Sequence, residues 1–287
     1  MNNKMAEKIK MKGHESFSIR EGWLTKGLIE VYNNPKVFSE KELTDIFGIG
    51  TNMVKSLKYW LQATKLIEES KKNEYVLSEL GQMIFTYDKY IENKFTLYLI
   101  HLNLVMNIDK AFIWNLFFNK CHFKSFSKKD LKEQISEILE TENFEFNEKI
   151  LLDEISVLLK TYTIEENEGT PEDNFICPLT ELKLIKKVSK DNYQRENTSI
   201  SNLSKYIVYW TILQQTSENN ISIDDLIKGN NSICNLLNID KISLNEYLDI
   251  LKKENYITIN RTAGLNMIYF NKKISLKDIF NLEYKGE

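Results

Sequence analysis

The chain of 287 residues is 42% hydrophobic and 28% charged with a net charge of −3, which argues against a uniformly basic nucleic-acid-binding protein and fits two or three soluble domains. Its longest apolar stretch, residues 95–106, is shorter than the roughly 20 residues of a membrane span, and the polar N-terminus shows no apolar leader, so no membrane association is expected. Three widely spaced cysteines without a CxxC motif argue against a zinc ribbon and favour a reducing, cytoplasmic location.

The first part of the chain predicts helices followed by a hairpin. After an N-terminal motif and helix in residues 1–37, Ser39 to Glu42 form a capping-box pattern that predicts a second helix, which ends at a Gly-Ile-Gly turn. Apolar residues at helical spacing predict a third helix over residues 51–64, and two short strands follow around a polar tip. This order is typical of a winged helix-turn-helix, which we assign to residues 38–81.

Residues 82–174 are predicted to form a helical middle region that includes two acidic helices, over residues 127–140 and 148–162. The stretch 127–173 carries five lysines against fourteen acids, a net charge of −9, which leaves +6 for the rest of the chain. Duplex DNA would avoid this stretch and could use the remainder. The stretch is either a solvated helical face or a docking surface for a basic partner. A Gly-Thr-Pro sequence marks residues 163–174 as a linker.

The last part of the chain predicts a connecting segment over residues 175–220, with paired strands in residues 182–193, and then a second winged-helix-like module over residues 221–287. In this module Ser222 and Ser243 each lie in a helix-capping pattern, and a hairpin follows the helices. The expected fold is therefore mainly α with small β-wings: two winged-helix modules joined by a helical middle region.

The third predicted helix has the features of a DNA recognition helix. No acid lies between Thr51 and Ile67, and an asparagine near the start of such a helix can read adenine edges while lysines contact phosphates. Winged helices also serve as protein-interaction modules, and the mixed charges of the second module favour packing or partner binding there. The candidates for contact with double-stranded DNA are Asn52, Lys55, Ser56, Lys58, Lys65 and, in the second wing, Arg261.

Two clusters could carry chemistry. His14, Glu15 and Arg20 place a general base, a carboxylate and a guanidinium beside a flexible glycine, a set that can act on a phosphate as catalytic residues. Asp88 and Glu92 lie four apart on a predicted helix, so their carboxylates could share a face and bind Mg²⁺ or Mn²⁺. The alternatives are a local cap at His14 and a solvated acid pair near a core histidine, His101. No nucleotide-binding, zinc-protease or serine-hydrolase motif is present, so no nucleotide or organic cofactor is expected.

Several motifs together resemble a bacterial family long described as of unknown function, the SspB-like family of single-strand DNA phosphorothioation systems. The resemblance covers most of the chain up to about residue 216, with Leu97-Tyr98 where the family has Leu-Trp. The matching motifs are Gly13 to Arg20 with Trp23-Leu24; Gly48 to Val54 with Tyr59 to Leu61; Asp88 and Glu92 with Thr96 and His101; Trp114 to Asn119; and Glu172-Asp173 with Cys177 to Leu179.

The resemblance implies a role beside a cysteine desulfurase, an ATP pyrophosphatase and an ATPase, in which this component nicks DNA so that sulfur can enter the backbone. It implies a metal-dependent nicking endonuclease of antiviral defence. The residues themselves leave three hypotheses open: such a nickase, a non-catalytic DNA-binding adaptor, and a winged-helix transcription regulator. A homodimer is compatible with each of them.

Overall fold

A computed structural model describes residues 7–8, 11–164, 176–262 and 266–286. Helices make up 54% of the structure and strands 12%, so the expected mainly α fold is confirmed. The α-helices are α1 Trp23–Asn33, α2 Leu43–Phe47, α3 Thr51–Ala63, α4 Glu79–Tyr87, α5 Lys94–Val105, α6 Phe112–Lys120, α7 Lys128–Thr141, α8 Glu148–Tyr162, α9 Lys205–Leu213, α10 Ile223–Lys228, α11 Ile233–Leu236, α12 Lys241–Lys253 and α13 Leu276–Tyr284.

Short strands form four small sheets between these helices. A parallel pair β1-β5 and an antiparallel hairpin β2-β3 are two-stranded, whereas the other two sheets, in the orders β4-β7-β6 and β8-β10-β9, are three-stranded and antiparallel. The strands are β1 Glu7–Lys8, β2 Ile67–Lys71, β3 Glu74–Leu77, β4 Ser125–Ser127, β5 Phe144–Glu145, β6 Ile185–Lys187, β7 Asn192–Arg195, β8 Asn220–Ser222, β9 Ile257–Asn260 and β10 Met267–Phe270.

The N-terminal helices and hairpin follow the predicted order, but the second helix begins later than predicted. Gly48 adopts a left-handed conformation with φ 59° that ends α2, and α3 then buries Val54, Leu57, Trp60 and Leu61 at helical spacing. The capping box predicted at Ser39 is wrong. This residue ends a short 3-10 helix, and its hydroxyl donates to the carbonyl of Asn73 in the hairpin turn instead.

The middle region contains the most deeply buried helix. Nearly every residue of α5 between Phe95 and Val105 is buried, because α6, α9 and the segment after residue 176 pack around it. The acidic helices α7 and α8 lie side by side as predicted, and a capping box between Ser127 and Asp130 starts α7. The predicted linker lies mostly outside the described residues.

The C-terminal unit, residues 220–270, adds a third strand to its hairpin, since β8 pairs with β10. Ser222 caps α10 as predicted, but the predicted capping box at Ser243 is wrong. Helix α12 begins at Lys241, and Asp240 accepts the backbone N–H of Ser243. Residues 263–265 of the predicted wing turn lie outside the described residues. Helix α13 returns to the middle region and packs against α4 and α9.

None of the helices in the described ranges is long and apolar enough to cross a membrane. The predicted domain limits stay predictions.

Candidate nucleic-acid interface

Helix α3 presents an exposed polar face at its N-terminal end. Thr51, Asn52 and Lys55 are exposed, and the Lys55 ammonium donates a hydrogen bond of 3.2 Å to the amide oxygen of Asn52. The two side chains lie next to each other because they are one helical turn apart. The N–H₂ group of the Asn52 amide donates no hydrogen bond to the described residues. This face therefore combines a positive charge with an amide that can both donate and accept hydrogen bonds.

Two further lysines flank this face. Lys58 is half-buried, and its ammonium lies 4.4 Å from the ring centre of Tyr75 in β3 and 5.6 Å from that of Phe38. Such cation–π contacts attach α3 to the hairpin. Lys65 follows the helix in a left-handed conformation with φ 54°, and its side chain is exposed. Lys65 is thus free to reach a phosphate, whereas Lys58 is partly committed to packing.

The burial of Ser56 contradicts its predicted role as a DNA contact. Its side chain is fully buried on the inner face of α3, because its position in the helix faces the core beside Leu57 and Trp60. The prediction is wrong because the position of residue 56 on the helix, and not the polarity of serine, decides its burial.

In the C-terminal unit, Arg261 is exposed and one of its guanidinium nitrogens donates to the amide oxygen of Asn245 at 3.1 Å. The adjacent helix α12 exposes Glu246 and Asp249 together with lysines. A phosphate that approached Arg261 would meet these carboxylates, so this face is less suited to nucleic acid than that of α3.

His14 is completely buried and lies below α3. Its Nδ1 accepts the backbone N–H of Ser16, and its Nε2 lies 3.0 Å from a carboxylate oxygen of Glu154 in α8. The imidazole stacks on Trp60 with ring centres 5.9 Å apart, and its edge faces Trp114. Nε2 makes no hydrogen bond of good geometry within the described residues, so the ring holds the N-terminal segment against α3 and α8 through the Nδ1 bond, the stacking on Trp60 and the close approach to Glu154.

Glu154, which contacts His14, was not among the residues predicted from the sequence. The same carboxylate oxygen accepts the backbone N–H of Lys12 at 2.5 Å, and the side chain is 5% exposed. A signal was present, because Glu154 lies among the apolar positions of α8 beside Leu151, Ile155 and Leu158, where a charge requires a buried partner.

The three predicted catalytic residues do not share one surface. The His14 ring is buried, whereas Glu15 is exposed in a turn with φ 49°. The guanidinium of Arg20 lies 5.5 Å from the ring centres of both Phe17 and Trp23. These contacts give His14 and Arg20 roles in packing, and the catalytic role of the trio stays a prediction.

Asp88 and Glu92 do not lie on one helical face, so that prediction was wrong. Helix α4 ends before Asp88, and Ile91 adopts a left-handed φ of 58° that breaks the helix before α5. The two carboxylate oxygens of Asp88 accept the backbone N–H groups of Glu92 at 3.0 Å and Asn93 at 3.1 Å. Asp88 therefore closes the loop between α4 and α5, while Glu92 is exposed.

A divalent metal site requires several side-chain donor groups close together. Across residues 11–164, 176–262 and 266–286, no three histidine, cysteine or acidic side chains come together as a metal site. With both Asp88 oxygens bound to backbone N–H groups, Asp88 and Glu92 do not form a ready Mg²⁺ site here. Their role as metal ligands stays a prediction.

His101 is a core histidine, as the alternative interpretation of the sequence held. Its Nδ1 and the hydroxyl of Tyr162 are 2.8 Å apart, and its Nε2 lies 2.7 Å from the carbonyl oxygen of Leu236. Complete burial lowers the pKa of His101 to about 4, so the ring is neutral near pH 7. It joins α5 to α8 and to the C-terminal unit.

Comparison with known proteins places this fold in a family. The model of a family described as protein of unknown function (DUF4007) matches residues 11–284. A structure described as magnesium ion-bound SspB has a TM-score of 0.85 at 22% identity, and a second SspB crystal structure has 0.83 at 21%. Each match covers 96% of this chain and 88% of the other. No curated protein matches. The resemblance to the SspB-like family is confirmed, and the chain belongs to the DUF4007 family.

Proposed function

We propose that this protein is a DNA-binding component of a bacterial single-strand DNA phosphorothioation system and that α3 is its recognition helix. The observation that carries the proposal is the exposed, acid-free face of α3 with Asn52 and Lys55 side by side. The fold shared with SspB supports the assignment to such a system. The partners expected with it are a cysteine desulfurase, an ATP pyrophosphatase and an ATPase.

The order of the N-terminal helices and hairpin supports a recognition helix, as do the charges on α3. Three helices followed by a hairpin are the order of a winged helix-turn-helix, in which the third helix enters the major groove. In this position the Asn52 amide could read an adenine edge, while Lys55 and Lys65 contact phosphates on either side. The hairpin β2-β3 would be the wing, held to α3 by Lys58.

The test is duplex binding by a charge-reversal variant with a matched control. Lys55→Glu with Lys65→Glu changes two exposed side chains on and after α3, and Lys252→Glu with Lys253→Glu makes the same change on α12. We expect the first variant to lose on the order of a hundredfold in affinity at low salt, because two phosphate contacts become repulsive. The second variant should bind like the wild type. Equal binding by the wild type and both variants would reject α3 as the interface.

A second candidate is metal-dependent nicking, favoured by the match to an SspB structure described as magnesium ion-bound. A bound Mg²⁺ or Mn²⁺ would polarise the scissile phosphodiester. Supercoiled plasmid is incubated with the protein and either metal, with and without a chelator, and open circle is measured. Nicking that stops on chelation and in the exposed-residue variant Glu15→Ala would support this candidate. A folded wild type that binds DNA but never nicks it would reject this candidate and favour a non-catalytic DNA-binding adaptor.

The transcription-regulator alternative predicts different behaviour. A regulator would select one operator sequence and would not co-purify with sulfur-transfer enzymes, whereas a phosphorothioation component should co-purify with them.

The acidic helices offer a docking surface for such partners, since Glu133, Glu137 and Glu140 of α7 are exposed. Glu165, Glu166 and Glu168 of the same acidic stretch lie outside the described residues. If charge reversal on α7 leaves co-purification unchanged, the acidic stretch is a solvated surface and not a docking surface.

A further inference from the structure

A polar cleft of about 570 Å³ lies between the sheet β4-β7-β6 and the C-terminal unit. Its walls come from residues 122–124 between α6 and β4 and from the end of β7 with the two residues after it on one side, and from α11 and the residues after it on the other. Most of the side chains that line it are polar, and they include Lys124, Gln194, Arg195, Glu196, Asn235 and Asn238. The volume is within the range of roughly 300–1,000 Å³ found for small-molecule sites.

Arg195 supplies a positive charge without a carboxylate partner. Its Nη1 donates to the carbonyl of Cys121 at 2.7 Å and its Nη2 to that of Phe118 at 3.3 Å, while the guanidinium lies over two phenylalanine rings. Burial lowers the pKa of Arg195 to about 10. In the part of the chain that the structure describes, no acidic side chain pairs with it and its buried Nε has no acceptor.

This arrangement leaves a guanidinium with unused hydrogen-bonding capacity at the wall of a cleft. Arginine has five N–H donors, and the two bonds to carbonyl oxygens use only part of them. A partly desolvated cation is costly unless an anion accompanies it, and phosphate matches the guanidinium fork. Lys124 is exposed at the same cleft, whereas Glu196, a carboxylate of its lining, pairs with neither cation.

The amide side chains of the cleft suit a nucleobase. Asn238 donates to the carbonyl of Leu184 at 3.0 Å and Asn235 to that of Asn119 at 3.4 Å, which fixes both amides. The side chain of Gln194 makes no hydrogen bond to any described residue, so its donor and acceptor are both available to a ligand. Base edges carry the same combination of donors and acceptors, and paired hydrogen bonds to an amide recognise them.

We propose that this cleft binds a nucleotide, with the phosphate between Arg195 and Lys124 and the base against Gln194 and Asn235. The nucleotide is either a free one or a unit of a single DNA strand. The site is separate from the α3 face and does not rest on the function proposed for that face.

Calorimetric titration of the full chain with dAMP, deoxyadenosine and inorganic phosphate tests the proposal. We expect dAMP to bind more tightly than either part alone. Lys124→Ala should weaken dAMP binding about tenfold, because a charge-assisted hydrogen bond is lost. Gln194→Leu should weaken dAMP binding but leave phosphate binding unchanged. Lys190→Ala, an exposed lysine outside the cleft, is the matched control.

The source of the nucleotide is decided by competition. If a single-stranded oligodeoxyadenylate displaces dAMP, the site takes a nucleotide within a strand; if it does not, the site takes a free nucleotide. Both results support the proposal. No dAMP binding, phosphate binding as tight as that of dAMP, or unchanged binding in Lys124→Ala and Gln194→Leu would overturn it. Failure of the α3 interface would be distinguishable, because Lys55→Glu with Lys65→Glu should leave dAMP binding intact.

Discussion

The N-terminal unit, residues 23–77, and the C-terminal unit, residues 220–270, share an order of helices and hairpin but present different helices to solvent. Between Thr51 and Ile67 the N-terminal unit has no acid, whereas the exposed side of α12 mixes Glu246 and Asp249 with lysines. The same order of elements is therefore compatible with two uses. Surface charge, not element order, distinguishes a candidate DNA interface from a packing or partner-binding unit.

The two units also differ in the buried histidine that each contacts, neither of which lies within a unit. His14 stacks on Trp60 of α3 and lies next to an acid, Glu154, whereas His101 bonds to the carbonyl of Leu236 in the C-terminal unit. Helix α8 supplies a partner to both, Glu154 to the first and Tyr162 to the second. Helix α8 thus contacts both histidines, near its middle through Glu154 and at its C-terminal end through Tyr162.

The largest expected effect is on the N-terminal attachment. His14→Ala should lower the free energy of unfolding by about 3–5 kcal/mol, because it removes a buried ring and leaves the buried Glu154 carboxylate with only the backbone N–H of Lys12 as a partner. Urea unfolding followed by circular dichroism measures this, with the exposed His122→Ala as the control. A loss for His14→Ala no larger than that of the control would mean that the contact with Glu154 does not hold this unit.

Folding stability should depend on pH through His101, which contacts the C-terminal unit. The pKa of His101 falls from 6.5 to about 4 on folding, so the unfolded chain binds a proton there that the folded chain excludes. Stability from this group is complete above pH 6.5 and is lost as the pH falls toward 4, by about 3 kcal/mol in all. Urea unfolding of wild type and His101→Gln between pH 7 and pH 4 measures the difference. Parallel pH profiles for the two proteins would contradict the neutral state of His101.

Asn52→Ala sharpens the assignment of the α3 face. Removing the amide should cost about 1–3 kcal/mol of discrimination at one base pair while phosphate contacts keep most of the affinity. Binding to a panel of duplexes that differ at single base pairs measures this, and Asn245→Ala on α12 is the control. An unchanged preference in Asn52→Ala would mean that the amide reads no base.

Ser56→Ala gives the smallest expected effect. The buried hydroxyl has no hydrogen-bond partner in the described part of the chain, so its loss should change stability by less than about 0.5 kcal/mol and leave DNA affinity unchanged. Thermal melting and duplex titration measure both quantities. A marked loss of affinity in Ser56→Ala would show that α3 is turned differently from the structure.

The helices and hairpins could be predicted from the sequence because local signals decide them. Apolar spacing specified α3 and α8, and Ser222 capped α10 as expected. Where local signals competed, prediction failed: Asp240 caps α12 ahead of Ser243, and Asn93 caps α5 after the loop that Asp88 closes. Helix α13 was not predicted separately, because its place depends on packing against distant helices.

The candidate sites were less predictable for the same reason. The exposed lysines of α3 follow from helical spacing, but the pairing of His14 with Glu154 joins residues that are far apart in the chain. The cleft at Arg195 likewise combines the loop after α6, the end of β7 and α11, which no local pattern connects. Local sequence patterns locate surface residues on an element, whereas residues buried between elements require the tertiary fold.

The central claim is that α3, and not α12, contacts the phosphates of duplex DNA, and the salt dependence of binding tests it most directly. The logarithm of affinity falls linearly with the logarithm of salt concentration, with a slope of about −0.9 for each phosphate contact. We predict that Lys55→Glu with Lys65→Glu makes the slope less steep by roughly 2, since two contacts are lost. Lys252→Glu with Lys253→Glu should leave the slope unchanged. A slope that changes in the α12 variant but not in the α3 variant would contradict the claim.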